Sequence, residues 1–213
     1  MQLTIKNLLP EYFEEDRKNQ SEIWGKEIQI DKGEFIKIVA PSGSGKTSLT
    51  HFIYGLRQQY KGSILFDDRE VKQFTTEQMA VHRQCKISVV LQDMRLFDDL
   101  TVFENINIKR QLQPRHNEEK IKEMAERLGI GNKLSSKCGT CSYGEQQRVA
   151  IIRSLMQPFD FLLLDEPFSH LDNENAQKAM TLMLEEAKLQ QAAIIFADLE
   201  RIDYFPYSRL FHL

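Results

Sequence analysis

The stretch Phe35-Ile36-Lys37-Ile38-Val39-Ala40-Pro41-Ser42-Gly43-Ser44-Gly45-Lys46-Thr47 decides the fold. Residues 35–40 read as a strand and residues 47–54 as the helix that follows it. The turn between them carries spaced glycines with a lysine directly after the last. Such a strand, turn and helix can hold phosphate: backbone N–H groups at the helix start point into the turn, and glycines leave the backbone open to phosphate oxygens. Lys46 then reaches the β- and γ-phosphates, and Thr47 offers a hydroxyl to Mg²⁺. An ordinary Gly/Ser-rich turn leaves that lysine unexplained. The loop pattern normally opens with glycine, where this chain has Ala40, a departure that matters only if the position needs positive φ.

Outward from this loop the same alternation of apolar run, turn and helical pattern recurs. Residues 87–91, 161–164 and 193–196 are short apolar runs suited to strands buried on both faces, which predicts an α/β fold with a mostly parallel central sheet. Residues 62–68 read as a strand pairing with residues 3–7 in a small antiparallel β subdomain. Residues from about 95 to 155 are mainly helical, with Ile121, Met124, Ala125 and Leu128 at i, i+3, i+4, i+7 behind a cap at Asn117. This region reads as a helical lobe inserted into one domain spanning residues 1–213.

With 31 acidic and 28 basic residues, a net charge of −3, the 213-residue chain carries no global charge that marks a nucleic-acid or membrane-surface binder. No apolar run approaches the roughly 20 residues that cross a bilayer. The N-terminus lacks the pattern of a signal peptide, so a cytoplasmic location is expected. Three cysteines are too few for a disulfide scaffold and fit a reducing compartment.

The run 161–167, FLLLDEP, is an apolar strand ending in two acids. At the carboxyl end of a buried strand, Asp165 is placed to hold Mg²⁺ beside Thr47, and Glu166 to orient or deprotonate an attacking water. The run 138–148, CGTCSYGEQQR, has two readings. Cys138 and Cys141 have the spacing of a dithiol, whereas Ser142 and Gly144 look like a helix start, with the helix running over 145–156, that faces an anion. Redox chemistry requires a reactive cysteine at the start of a helix. Here the helix begins after the second cysteine, and no further pair of zinc ligands lies nearby.

With the phosphate loop, FLLLDE and SYGEQQR in this order, the chain resembles the ATP-binding subunits of ABC transporters over essentially its whole length. The resemblance implies a P-loop NTPase fold and cofactors ATP and Mg²⁺. It places Ser42, Gly43, Ser44, Gly45, Lys46, Thr47 and Ser48 on the nucleotide phosphates and Tyr12 against adenine. Gln92, after the strand 87–91, looks like the glutamine that senses γ-phosphate and metal, with Thr47 and Asp165 as the other metal contacts. Glu166, Lys46 and Gln92 are the implied catalytic groups. Ser142, Gly144 and Asp172, the last within Ser169-His170-Leu171-Asp172, are implied to meet ATP across a dimer with a second copy or a similar cassette. The segment 91–105 looks closest to small single-cassette subunits serving lipoprotein release, macrolide-type efflux and the cell-division ATPase. A separate transmembrane permease is the implied partner, nucleic acid is not, and the chain is expected to lie peripherally on the inner face of the cell membrane.

Two departures stand out. The signature normally reads Leu-Ser-Gly-Gly, and here it is Cys141-Ser142-Tyr143-Gly144, with a large side chain where the family has none. At the end of the last buried strand, Ala197 or Asp198 takes the place of the switch histidine, which implies slow hydrolysis. The competing expectation is a nucleotide-gated structural module that binds ATP and dimerises but barely turns it over. Soluble relatives in translation or DNA repair commonly carry two cassettes or a long coiled-coil insertion, and this chain has neither.

Overall fold

The structure, a computed structural model, describes residues 1–12, 21–199 and 204–213. In chain order its first half contains β1 (Gln2–Pro10), β2 (Glu27–Asp31), β3 (Phe35–Val39), α1 (Lys46–Ile53), β4 (Tyr60–Phe66), β5 (Arg69–Glu70), α2 (Thr76–Cys85) and β6 (Ile87–Val90). There follow α3 (Val102–Leu112), α4 (Glu118–Arg127), α5 (Tyr143–Leu155), β7 (Phe161–Asp165), α6 (Asn173–Gln190), β8 (Ala193–Asp198) and β9 (Arg209–His212).

The strands form two sheets. One is antiparallel with order β2-β1-β4-β5, and its pairing of Leu3 with Phe66 and Ile5 with Ile64 is the antiparallel partner expected for residues 3–7. β2 alternates cleanly, Ile28 and Ile30 inward and Glu27, Gln29 and Asp31 outward, as a strand with one wet face must. The other sheet is parallel with order β6-β7-β8-β3-β9. β7 is buried at every residue, so its run of apolar side chains serves two cores at once. Leu162 and Leu164 join the helices α3 to α6, while Phe161 and Leu163 join α1 and the antiparallel sheet.

Parallel order has a direct consequence for chemistry, because all carboxyl ends of the strands point to one edge. The register sets Val39 beside Asp198, Asp165 beside Ala197 and Val90 beside Leu164. The loops that follow β3, β6, β7 and β8 therefore emerge together.

Helix boundaries follow local capping. Asn117 accepts the Lys120 N–H at 3.1 Å and starts α4, whose Ile121, Met124 and Ala125 are buried as the period requires. α5 begins at Tyr143, two residues before the expected start, because Ser142 and Glu145 form a reciprocal capping box. α1 likewise spans Lys46–Ile53 rather than 47–54, with Gly45 as its cap residue. Helices α3 to α5 share one apolar cluster with β7, β8 and α6 instead of a separate core.

One buried acid joins the helical region to α6. Glu186 is 1% exposed and lies 3.3 Å from His116 Nε2 and 3.6 Å from Lys120 Nζ. Burial alone would raise its pKa, but His116, Lys120 and Arg115 together hold it below the usual glutamate value. A depressed carboxyl contributes stability that is full above the unfolded pKa, about 4.3, and is lost as pH falls through the folded value. Glu186→Gln is expected to lower stability in urea unfolding by about 2 kcal/mol at pH 7. The gap from wild type should close below pH 4.

Candidate nucleotide site

The loop after β3 is shaped by its neighbours on three sides. The Ala40 N–H donates to the Asp198 carbonyl at 3.1 Å, so the start of the loop is clamped to the end of β8. Ala40 does not adopt positive φ and its methyl is buried, so alanine replaces the usual glycine without strain. Gly43 and Gly45 do take left-handed backbone, at φ 78° and 105°. Below the loop, Trp24 donates its indole N–H to the Ser44 carbonyl at 3.3 Å. A Cβ on Gly45 would sit 3.0 Å from Trp24 Cζ2, so any side chain would press on the ring as well as strain the left-handed backbone. α1 starts with no side-chain cap, which leaves its first N–H groups facing the loop and suited to an anion. Ser42 is exposed at the rim, with Thr47 and Ser48 on the first turn of the helix.

Lys46 folds back over this turn. Its ammonium donates to the carbonyls of Ala40 at 2.8 Å and Pro41 at 3.0 Å, and lies 3.2 Å from Glu166 Oε1. The other Glu166 oxygen accepts from Gln92 Nε2 at 3.3 Å. Gln92, Glu166 and Lys46 thus form one connected polar row across the mouth of the loop. Glu166 has φ 47°, a left-handed conformation uncommon for a residue with a side chain. Its N–H donates to the Ala197 carbonyl at 2.9 Å, which fixes this turn against β8.

Asp165 differs from its neighbour. It is 0% exposed, and neither carboxylate oxygen has a hydrogen-bond partner of normal geometry among the described residues. Burial pushes its pKa up to about 6; the Thr47 hydroxyl and Lys46 oppose that shift, and Glu166 and Asp93 add to it. Two buried, unsatisfied anionic oxygens beside a threonine hydroxyl are the chemistry a hard divalent cation satisfies. No three His, Cys, Asp or Glu side chains converge on a metal site among the described residues.

The signature segment is organised by α5. Ser142 caps the helix, and a Cβ on Gly144 would lie 2.9 Å from the His170 carbonyl, so only glycine lets that loop approach. Gln147, 1% exposed, accepts the His170 N–H at 2.9 Å and reaches the Glu166 carbonyl at 3.4 Å and Ser169 Oγ at 3.3 Å. At the other end Arg153 donates to the Arg95 carbonyl at 2.8 Å and to that of Met94, two consecutive positions with positive φ. Asp172 caps α6, accepting from the Asn175 N–H at 2.8 Å. Among the described residues no hydrogen bond or ion pair joins Ser142, Gly144 or Asp172 to residues 40–47. Tyr143 is 69% exposed and packs at 5.3 Å from the His170 ring. Tyr12 is 93% exposed on the turn after β1.

The dithiol reading finds no support in the local environment. Cys138 and Cys141 are free, and burial pushes the Cys138 thiol up to about 11 and raises that of Cys141. A reactive cysteine needs the opposite shift. At the switch position, Ala197 is a buried strand residue and Asp198 ends β8, while Glu200 lies outside the described residues. Trp24, Gln147, Arg153 and Lys37 were not singled out from sequence. Gln147 and Lys37 lie inside quoted stretches, yet the partners of all four are visible only in the fold.

The profile of the ABC transporter family matches residues 25–169. A lipoprotein-releasing system ATP-binding protein, LolD, of Legionella pneumophila is 34% identical over 174 residues, covering 80% of this chain and 77% of that protein. The macrolide export ATP-binding/permease protein MacB of Aggregatibacter actinomycetemcomitans is 32% identical over 178 residues, 82% of this chain but 28% of MacB. Among solved structures, the dimeric MJ0796, a bacterial ABC transporter cassette, superimposes with a TM-score of 0.83 at 25% identity, over 99% of this chain and 94% of that one. Loop, sheet order and relatives agree: this chain belongs to the ABC transporter family and is one of its ATP-binding, ATP-hydrolysing cassettes.

Proposed function

We propose that this cassette binds Mg-ATP at the loop 40–47, closes as a dimer with a second copy or a similar cassette, and transmits closure to a separate membrane permease. The observation that carries this reading is the convergence of Lys46, Gln92 and Glu166 above a buried Asp165 whose carboxylate has no hydrogen-bond partner among the described residues. Thr47, Gln92 and Asp165 fit Mg²⁺, which when bound supplies positive charge to the β- and γ-phosphates. Lys46 exchanges the Ala40 and Pro41 carbonyls for phosphate oxygens, and so releases Glu166. Freed from Lys46, Glu166 orients the attacking water and accepts its proton. Ser142 and Gly144 present the start of α5 to the phosphate held by the opposite subunit, Tyr12 meets the adenine, and Asp172 approaches the dimer seam while capping α6. With Ala197 or Asp198 where the family has a switch histidine, hydrolysis by the cassette alone is slow.

Closure has a mechanical outlet. An apolar groove of about 290 Å³ opens between the sheet and the helical region, lined by Tyr54, Leu56, Leu91, Met94, Phe97 and Ile108 among others. Arg153 of α5 grips the Met94 and Arg95 carbonyls in this groove, and Gln92 at its head touches Glu166. A permease helix seated there would move with the ATP site. No helix among the described residues is long and apolar enough to cross a membrane. Similarity to relatives named for lipoprotein release and macrolide export supports a role among cassettes of that kind, with the choice of cargo left to the permease.

Glu166→Gln should reduce Mg-dependent phosphate release by a factor of about 100 or more while leaving ATP binding intact. ATP binding without release in either protein would favour a nucleotide-gated module over an enzyme acting alone. A raised carboxyl disfavours the charged folded state, so the contribution of Asp165 to apo stability falls as pH rises from about 4 to about 6 and stays unfavourable above. Asp165→Asn should therefore stabilise the apo protein at pH 8, on the order of 2 kcal/mol in urea unfolding, yet abolish the extra stabilisation that Mg²⁺ adds to ATP. Phe97 is 55% exposed in the groove. Phe97→Asp should release the cassette from the membrane fraction of its own cells without changing ATP affinity.

A further inference from the structure

Lys37 is a lysine in the middle of a buried strand, between Ile36 and Ile38, with its side chain 0% exposed. Packing does not account for it, since lysine is almost never fully buried unless paired. The parallel register sets Lys37 beside Phe196 and Val39 beside Asp198. From there the Lys37 side chain runs toward the carboxyl end of β8. Its ammonium stands 3.4 Å from the Phe196 ring centre and 3.5 Å from Asp198 Oδ2. The partner acid is itself fixed: Asp198 Oδ1 accepts the Leu199 N–H at 2.7 Å.

The position of Asp198 gives the pair a function. Its main-chain carbonyl accepts the N–H of Ala40, the first residue of the phosphate loop, and the preceding carbonyl, that of Ala197, accepts the N–H of Glu166. The Asp198 carboxylate is therefore carried on the peptide clamped between the loop and the candidate base. That edge already holds Asp165, Glu166 and Asp93, with Lys46 as the cation on the loop side. A further unneutralised carboxylate there would repel a polyphosphate through a low-dielectric wall.

We propose that Lys37 is a positioning residue of the nucleotide site: its buried ammonium neutralises Asp198 and holds that carboxylate toward the core, so that the loop 40–47 can accept the triphosphate. This rests on the reading of that loop as the ATP site. Lys37 touches no phosphate, and its effect on ATP is exerted wholly through Asp198. The pair spans two neighbouring strands, in which β8 supplies the charge and β3 its counter-charge.

The test is a double-mutant cycle read by calorimetric titration of the full chain with Mg-ATP, with thermal unfolding of each variant measured alongside. Lys37→Met should weaken ATP binding tenfold or more, Asp198→Asn should leave it unchanged or tighter, and the double variant should return to within about threefold of wild type. A purely structural lysine would show no such rescue. Equal weakening in Lys37→Met and the double variant overturns the proposal, as does unchanged affinity in Lys37→Met. Absence of ATP binding by wild type would instead remove the reading of the loop.

A second measurement uses only wild type and Asp198→Asn, in case the single lysine variant does not fold. Burial lowers the Lys37 pKa to about 8 against the opposing pull of Asp198. The groups facing the pair are Phe196 and Asp198 on β8 and Tyr204 beyond, whose hydroxyl is raised above its ordinary 10 by burial and by Asp198; Asp165, at about 6, is already ionised. From pH 7 to 9 ATP affinity should fall in wild type and stay level in Asp198→Asn. Parallel curves for the two proteins would overturn the proposal.

Discussion

The parallel register of β3, β8 and β7 is the constraint on which the site depends. Two main-chain hydrogen bonds close the edge of that sheet, Ala40 to Asp198 and Glu166 to Ala197. They join three loops that are far apart in sequence. Because the strands are buried on both faces, a slip in register would move a whole apolar run out of its core. The positions of Lys46, Asp165 and Glu166 are thus set by apolar packing several residues away from the chemistry.

On that frame α5 acts as a coupling rod. Near its start Gln147 holds the backbone of Glu166 and His170, and near its end Arg153 holds the backbone of Met94 and Arg95. Each grip uses main-chain carbonyls or N–H groups, so it fixes the path of a loop rather than one side chain. The left-handed residues Glu166, Met94 and Arg95 all lie in segments held this way. Such conformations persist where surrounding contacts over-determine them. A rigid helix with both ends attached to nucleotide-facing loops can convert movement at the site into movement of the groove.

Charge is the second theme of the edge. Asp165 is buried without a partner, Glu166 is shared between Lys46 and Gln92, and Asp198 is paired from inside the core by Lys37. These three acids close together meet three different fates because burial and neighbours differ at each. Asp165 carries unsatisfied buried oxygens, Glu166 is held between a cation and an amide, and Asp198 is held by a buried cation.

Much of this was legible in the sequence, and the reason is locality. The phosphate loop, the apolar run ending in Asp165 and Glu166, and the cap at Asn117 are short patterns governed by backbone hydrogen bonding and side-chain period, so the residues 40–47, 161–166 and 117–128 declared themselves. The start of α5 lies two residues before the position read from the pattern, at the point where Ser142 and Glu145 form the capping box. Asn117 and Ser142 act on N–H groups three residues away, while Trp24 acts on Ser44, Arg153 on Met94 and Lys37 on Asp198, across 20, 59 and 161 positions. No spacing rule reaches that far. Local pattern alone marks the candidate phosphate loop and the acid-ended strand. Only the tertiary structure decided what holds those residues, because contacts between distant segments exist only once the sheet register has brought their strands together.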